Sequence, residues 1–128
     1  MRLKIEAEVT GVVGKGLHDP IMRRAMTSSE DHVTHATLGE VHAELGRVLQ
    51  HPTGYYESRV VADYGKRPPS VHDSMVVYGP WLEGIGSRNA TTRFKGYATF
   101  RRVAQRMQGE VIRITGPVFD HAIRQINQ

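Results

Sequence analysis

The chain has 128 residues, of which 39% are hydrophobic, with 17 Lys plus Arg against 13 Asp plus Glu. This length and composition fit one globular domain. The absence of cysteine excludes disulfides, thiolate metal sites and a cysteine nucleophile. No segment approaches the roughly 20 apolar residues of a membrane span, and none at the N-terminus resembles a signal peptide, so no membrane partner is expected.

The formal net charge is +4. Because the basic residues do not form a dense run, this charge favours a solvated surface with arginine ion pairs. A surface that binds nucleic acid is the alternative, and the charge alone leaves it open.

The N-terminal third predicts a strand and a helix. Residues 2–10 alternate polar and apolar side chains, which is typical of a half-buried strand. The glycines of 11–16 then predict a loop, and 19–26 a short helical turn with Pro20 near its start. Leucines and valines spaced by three and four from 38 to 48 predict an amphipathic helix over about 29–50. Ser28 or Ser29 would cap this helix, and His51–Pro52 would end it.

The middle of the chain predicts a β-hairpin. Tyr55 to Tyr64 and Val71 to Tyr78 are rich in β-branched and aromatic residues, and the proline-containing turn 65–70 separates them. Gly79 to Asn89 is expected to be a loop ordered by Trp81 and Leu82.

The last predicted helix carries an apolar stripe and would begin at Thr91 or Thr92. Its stripe consists of Phe94, Tyr97, Phe100, Ala104, Met107 and Val111. Gly116–Pro117 would break or kink it, leaving a short amphipathic segment over 118–126. The whole chain is therefore expected to be a single α+β domain, with a small antiparallel sheet of the N-terminal strand and the hairpin packed against two long helices.

Residue types of known catalytic and metal sites occur, but not in a convergent arrangement. Ser70, His72 and Asp73 would share one strand, on which neighbouring side chains point to opposite faces, so a hydrolytic triad is disfavoured. His32, His35 and His42 could share a helix face, but no fourth ligand accompanies them. We therefore expect no catalytic residue, no metal, no cofactor and no enzymatic activity.

The segment from Tyr78 to Asn89 is the most distinctive of the sequence, because it concentrates Trp81, a proline and three glycines in a short stretch. It predicts a rigid contact surface or a loop that closes the core. If Glu83 is buried there, Arg88, Arg93 or backbone amides must hold its charge.

The C-terminal helix carries Arg101, Arg102 and Arg106 away from the apolar stripe. A solvated helix face accounts for these side chains in the simplest way. Together with Arg88 and Arg93 they are also candidate contacts to another subunit, and contact with DNA phosphates is the weakest alternative.

In their order, three motifs resemble the small neck, or tail-completion, proteins of long-tailed bacteriophages, also described as head–tail connector or minor tail proteins. The first motif contains Pro52, Thr53, Gly54 and Ser58, the second contains Tyr78, Trp81, Glu83 and Gly84, and the third begins at Phe94. The resemblance covers roughly residues 30–110. A Tyr stands where a Leu is usual, and the usual Thr after the second motif is missing.

The resemblance implies a non-enzymatic virion protein, assembled in the bacterial cytoplasm. Copies of the chain would form a ring in the neck, a hexamer or dodecamer, around the channel through which the genome DNA exits. Its neighbours would be head-closure proteins and tail-terminator or tail-tube proteins. A tail terminator of the same virion, or a basic nucleic-acid-binding regulator, is the alternative.

Overall fold

Two long helices and a three-stranded antiparallel sheet form the fold, which confirms the predicted α+β class. The computed structural model describes residues 2–4, 19–50 and 53–128. The helices and strands in chain order are β1 (Arg2–Lys4), α1 (Pro20–Val48), α2 (Tyr55–Arg59), β2 (Val61–Asp63), β3 (Ser70–His72), α3 (Gly79–Glu83) and α4 (Thr99–Ile126), with a 3-10 turn at Ser87–Ala90 before α4.

Helix α1 begins nine residues earlier than the predicted start at 29. The side chain of Asp19 accepts a 2.7 Å hydrogen bond from the Ile21 amide, and Pro20 occupies the first turn, where its missing N–H costs nothing. The prediction that Ser28 or Ser29 caps a separate helix is therefore wrong, since both lie inside α1. The helix ends at Val48, and His51 and Pro52 lie outside the described residues.

The strands are shorter than predicted, and β3 is the central one. It pairs antiparallel with β1 on one side and with β2 on the other, so Val71 lies opposite both Leu3 and Ala62. The hairpin is confirmed, as is the start of the N-terminal strand. Residues 5–10 of that strand and the predicted glycine loop 11–16 lie outside the described residues.

Each of the two segments that were predicted to be hairpin strands is only partly a strand in the structure. Residues 55–59 form helix α2 instead of strand, because Gly54 turns the chain with a φ of +84° just before it. Strand β3 ends at His72, because Ser74 and Met75 adopt left-handed φ angles of 57° and 58°. Val76 and Val77 therefore lie beyond the sheet.

Helix α4 begins at Thr99, so the prediction that Thr91 or Thr92 caps it is wrong, and Phe94 and Tyr97 precede it. It also runs unbroken through Pro117, contrary to the predicted break. A helical proline removes one backbone hydrogen bond. Beyond it, Ala122 is buried against Met22 and Ala25 of α1, and this packing keeps the last turns helical.

The main core lies where α1, α4 and the sheet meet. It consists of Val33, Val41, Leu45, Tyr56, Val60, Val71, Phe100, Val103 and Met107. Thr34 and Thr37 of α1 are also buried, and each hydroxyl donates to the carbonyl oxygen four residues earlier. Because these hydroxyls find their hydrogen-bond acceptors within the helix, threonines can occupy its buried face. The apolar periodicity of α1 is therefore weak before residue 38.

Candidate functional site

Glu83, which was expected to need partners if it were buried, is buried and supplies the cap of helix α4. Its two carboxylate oxygens accept hydrogen bonds from the Phe100 and Arg101 amides at 2.8 and 3.2 Å. The residue at the cap position, Ala98, has no side-chain oxygen and a φ of 54°. A carboxylate at a helix N-terminus satisfies otherwise unpaired amides and interacts favourably with the helix dipole. Backbone amides, the third of the predicted alternatives, therefore hold this charge.

Two glycines allow the chain segments before and after this cap to touch. Gly84 has a φ of +101° and Gly96 a φ of +91°, and a Cβ on either residue would run into the backbone of the other segment. The same contact is reinforced by backbone hydrogen bonds from Tyr97 to Leu82 at 2.7 Å and from Ala98 to Glu83 at 3.2 Å. Gly84, a predicted motif residue, is thus required by a close approach between backbones.

Asn89 holds the loop between these segments together. Its carbonyl oxygen accepts from the Gly86 amide at 2.8 Å, and its amide group donates to the carbonyls of Trp81 and Phe94 at 3.1 and 3.2 Å. Asn89 is buried, so these bonds satisfy a group that would otherwise be costly to bury. The sequence-based prediction missed Asn89.

The predicted motif residues Trp81 and Phe94 belong to one aromatic row. The ring centroids of Trp81 and Phe94 are 4.9 Å apart, and those of Phe94 and Tyr97 are also 4.9 Å apart, the second pair edge to face. All three rings are half-buried. Tilted and edge-to-face aromatic pairs are the favoured geometries, so the row stiffens the entry to α4.

A second buried carboxylate, that of Asp73, fixes the turn after β3. Asp73 is fully buried and accepts from the Tyr56 hydroxyl at 3.1 Å and from the Met75 amide at 3.1 Å. A Cβ on Gly79 would collide with this carboxylate, so Gly79 has to lack one. Burial, and then the negative charge of Asp73, raise the pKa of Tyr56 far above its ordinary value. The phenol therefore remains a hydrogen-bond donor.

The turn from Ser74 to Tyr78, which we call the projecting turn, presents apolar side chains to solvent. Met75 is 90% exposed and Val77 is 95% exposed, and Tyr78 is also exposed. The backbone beneath them is held, because Ser74 donates from its amide to His72 Nδ1 at 2.9 Å and from its hydroxyl to the Arg59 carbonyl at 2.7 Å. Apolar side chains on such a fixed backbone are typical of contact surfaces.

The described residues of the first motif lie at and around the start of α2. This helix meets the projecting turn through the rings of Tyr56 and Tyr78, whose centroids are 5.8 Å apart, and through the Arg59 carbonyl. The Thr53 hydroxyl accepts from the Tyr55 amide at 3.3 Å, and the Ser58 hydroxyl donates to the Tyr55 carbonyl at 2.6 Å. Gly54 provides the left-handed turn described above. Thr53, Gly54 and Ser58 therefore shape α2, and Pro52 lies outside the described residues.

Two of the five candidate arginines bind within the chain. Arg102 lies 3.7 Å and Arg106 3.3 Å from the carboxylate of Glu44 on α1, a side chain that is only 7% exposed. Arg47 also binds this carboxylate. The Arg47 hydrogen bond, with support from Arg106, lowers the pKa of Glu44 below its usual value despite the opposing effect of burial. Glu44, which the sequence-based prediction missed, joins the two long helices.

The other three candidates, Arg88, Arg93 and Arg101, are exposed. They enter none of the ion pairs found in the described part of the chain, and Glu83 takes backbone amides instead of either Arg88 or Arg93. Their guanidinium groups are available to an external partner.

The histidines and the Ser70–Asp73 strand do not converge on a reactive centre. The His32 Nδ1 lies 2.7 Å from the Ser28 carbonyl and the His42 Nε2 lies 2.9 Å from the Val60 carbonyl. His72 and Asp73 each bind separate turn amides, as described above. Among residues 2–4, 19–50 and 53–128, no group of three or more His, Asp or Glu side chains could hold a metal ion.

A groove with a volume of about 640 Å³ runs along the exposed face of α1. It is open, and Arg23, Arg24, His32, His35 and Tyr64 are among the side chains that line it. None of the residues predicted from sequence as contact residues lines it.

No protein-family model, no curated protein and no solved structure matches this chain. Within the described residues, no helix is both long enough and apolar enough to cross a lipid bilayer.

Proposed function

We propose that this chain is a structural, non-enzymatic subunit of the neck of a long-tailed bacteriophage. Copies of the chain would form a ring around the channel for the genome DNA, between head-closure proteins and tail-terminator or tail-tube proteins. The proposal takes its starting point from the three ordered motifs in the sequence, which resemble neck proteins. It places the chain in the virion, assembled in the host cytoplasm.

The observation that carries the proposal is the projecting turn. Met75 and Val77 expose almost their whole side chains, although a chain working alone would gain from polar residues there. The turn is fixed through Asp73 and Ser74, so it keeps its shape before it meets a partner. Little ordering entropy would then be lost on association, which favours binding.

A ring requires heterologous contacts, in which one surface meets a different surface on the next copy. The projecting turn supplies an apolar protrusion for such a contact. A depression of about 310 Å³, lined by both polar and apolar side chains that include Leu49, Leu82 and Tyr97, is the candidate receptor for Met75 and Val77 of the next copy. Tyr78 also lines this depression. The exposed Arg88, Arg93 and Arg101 can add polar contacts at the rim.

The alternative of a nucleic-acid-binding regulator receives less support. Arg102 and Arg106 are engaged by Glu44, and Arg106 also lies 3.5 Å from Glu40. This leaves a smaller basic surface than the sequence suggests. A tail terminator of the same virion remains the second structural alternative, and the position of the chain in the particle separates the two.

The test is co-expression of the chain with the proteins encoded on either side of its gene, followed by mass measurement and electron microscopy. We expect ring particles with the wild-type chain. The double variant Met75→Lys/Val77→Lys should fold normally, because both side chains are exposed, yet form no rings. The variant Ile85→Lys is the control, since Ile85 is an exposed apolar residue outside the turn.

Rings that persist in the double variant would contradict the role of the turn. A chain that stays monomeric with all neighbours present, and that binds duplex DNA with an affinity falling steeply as salt rises, would instead support the regulator.

A further inference from the structure

The C-terminal half of α4 carries a second apolar surface, separate from the core. Ile112, Gly116, Phe119, Ile123 and Ile126 follow one another at spacings of four, three, four and three residues. Ile112 is 83% exposed, and Ile123 and Ile126 are 38% and 39% exposed. We call this row the apolar stripe from here on. It shares no residue with the stripe predicted from the sequence, which runs from Phe94 to Val111. Alternating spacings of three and four are the pattern by which one helix packs along another.

The stripe does not face α1. The residues of this half of α4 that are buried against the rest of the chain are Thr115 and Ala122, and Ala122 packs on Met22 and Ala25. At about 100° per residue, the centre of the stripe lies roughly a fifth of a turn around the helix from these two residues. Phe119 lies at the boundary, partly packed against Met22 and its neighbours. Apart from Phe119, the stripe is therefore a helix face that no described element of the chain covers.

Gly109 extends the stripe by one further step of three residues. A glycine inside a helix is destabilising relative to alanine. Nothing lies within 4 Å of the position that its Cβ would occupy, so no contact within the described structure requires the absence of a side chain. Gly116, seven residues later, is equally open but precedes Pro117, where a Cβ would disfavour the helical backbone. A partner that approaches closely would account for Gly109.

We propose that two copies of this chain pair through the apolar stripe, with their α4 helices antiparallel and related by a two-fold axis. In the register that brings the two stripes into contact along their length, Ile112 of each copy lies opposite Ile123 of the other, and Gly116 lies opposite Phe119. The same register places Ile126 opposite Gly109. Phe119 in the central layers and Ile126 in the outermost layers then each meet a glycine, which gives size complementarity there, and the layers between pair Ile112 with Ile123.

The charges beside the stripe fit the antiparallel orientation. Arg113 and Asp120 are exposed, lie on the same flank of the stripe and are seven residues apart. Antiparallel pairing brings Arg113 of one copy near Asp120 of the other, and the two-fold axis repeats the pair. Within one copy, Arg113 forms an exposed ion pair with Glu110. Replacing this pair with one between Arg113 and Asp120 of the other copy costs little free energy, because exposed ion pairs contribute little to stability. In a parallel arrangement this flank would face Thr115 and Ala122, which carry no charge.

This contact goes beyond the proposed ring and does not depend on it. An isologous contact closes on itself, whereas ring contacts are heterologous. It also uses different residues from the projecting turn. A single helix stripe buries less area than a standard stable interface, so we expect a weak dimer with a dissociation constant on the order of 10–100 µM.

The test uses the natural absence of cysteine. Two single variants, Ile112→Cys and Ile123→Cys, are purified separately and then mixed under mild oxidation. We expect a disulfide-linked dimer in the mixture and little in either variant alone, because the antiparallel register brings residue 112 only to residue 123. Crosslinking of Ile112→Cys with itself would indicate a parallel arrangement and overturn the proposal, as would the absence of any mixed dimer at high concentration.

A second measurement is sedimentation of the full chain. Ile112→Lys should abolish the concentration-dependent dimer while leaving the melting temperature of the monomer unchanged. Val77→Lys, which alters an equally exposed residue of the projecting turn, should dimerise like the wild type. A dimer that survives Ile112→Lys but is lost with Val77→Lys would refute the stripe as the contact and leave the ring proposal standing.

Discussion

The segment Asp73–Arg101 and the apolar stripe of α4 are stabilised in different ways, the first by hydrogen bonds within the chain and the second by apolar contact with another copy. In the segment, three buried polar side chains, those of Asp73, Glu83 and Asn89, each bind at least two groups of the surrounding backbone or side chains. The stripe has only isoleucines, a phenylalanine and glycines, several of them exposed. The comparison indicates that the segment has its shape fixed within one chain, whereas the stripe is completed by contact with another.

The strongest test of the first half of this comparison is Glu83→Ala. The substitution removes two charge-assisted hydrogen bonds from the first turn of α4, and Ala98 has no side chain that could replace them. We expect a loss of about 2–4 kcal/mol in the free energy of unfolding, measured by chemical denaturation. Glu83→Gln, which keeps one acceptor oxygen, should lose less. A variant with wild-type stability would contradict the capping role.

Glycine substitutions sharpen the same comparison, because they should have opposite signs in the two regions. Gly84→Ala places a Cβ against the Lys95 carbonyl at a φ of +101° and should destabilise the chain by about 1–3 kcal/mol. Gly109→Ala adds a Cβ in open space on a helix and should stabilise the monomer by about 0.5–1 kcal/mol. Thermal unfolding of dilute protein measures both. Equal effects of the two substitutions would remove the distinction between the segment and the stripe.

The sequence predicted the fold class, the hairpin and the kinds of partner that a buried Glu83 would need, because each follows from local periodicity or from the cost of burying a charge. It did not predict where α4 begins. Thr91 and Thr92 are good local caps, but the cap comes from Glu83, sixteen residues before Thr99, and such a tertiary contact has no local signal. Helix α2 was missed for a related reason, since its aromatic residues favour strand while Gly54 and the buried Tyr56 impose a helical turn.

The stripe was also missed, although its signal was present in the sequence. The prediction of a break at Gly116–Pro117 divided α4 in two, and the spacing from Ile112 to Ile126 is visible only along a continuous helix. Packing of Ala122 on α1 overrides the local preference of the proline. A helical wheel drawn through Pro117 would have revealed the row.

The ion pairs of Glu44 mark the boundary between the two regions, since Arg102 and Arg106 are on the part of α4 that precedes the stripe. Glu44→Gln leaves three partly solvated arginines without their shared carboxylate, and we expect a loss of about 1–2 kcal/mol at neutral pH. Glu40→Gln is the control, because Glu40 is half-exposed and its pair with Arg106 should contribute less than about 0.5 kcal/mol.

The pH dependence tests the same contact independently. Because the pKa of Glu44 is lowered in the folded chain, its stabilising effect is present above the ordinary value of 4.5 and is lost as the pH falls through the folded value. The difference in melting temperature between the wild type and Glu44→Gln should therefore be constant above about pH 6 and shrink below about pH 4. A difference that stays constant down to pH 2 would contradict the role of the Glu44 charge in joining α1 to α4.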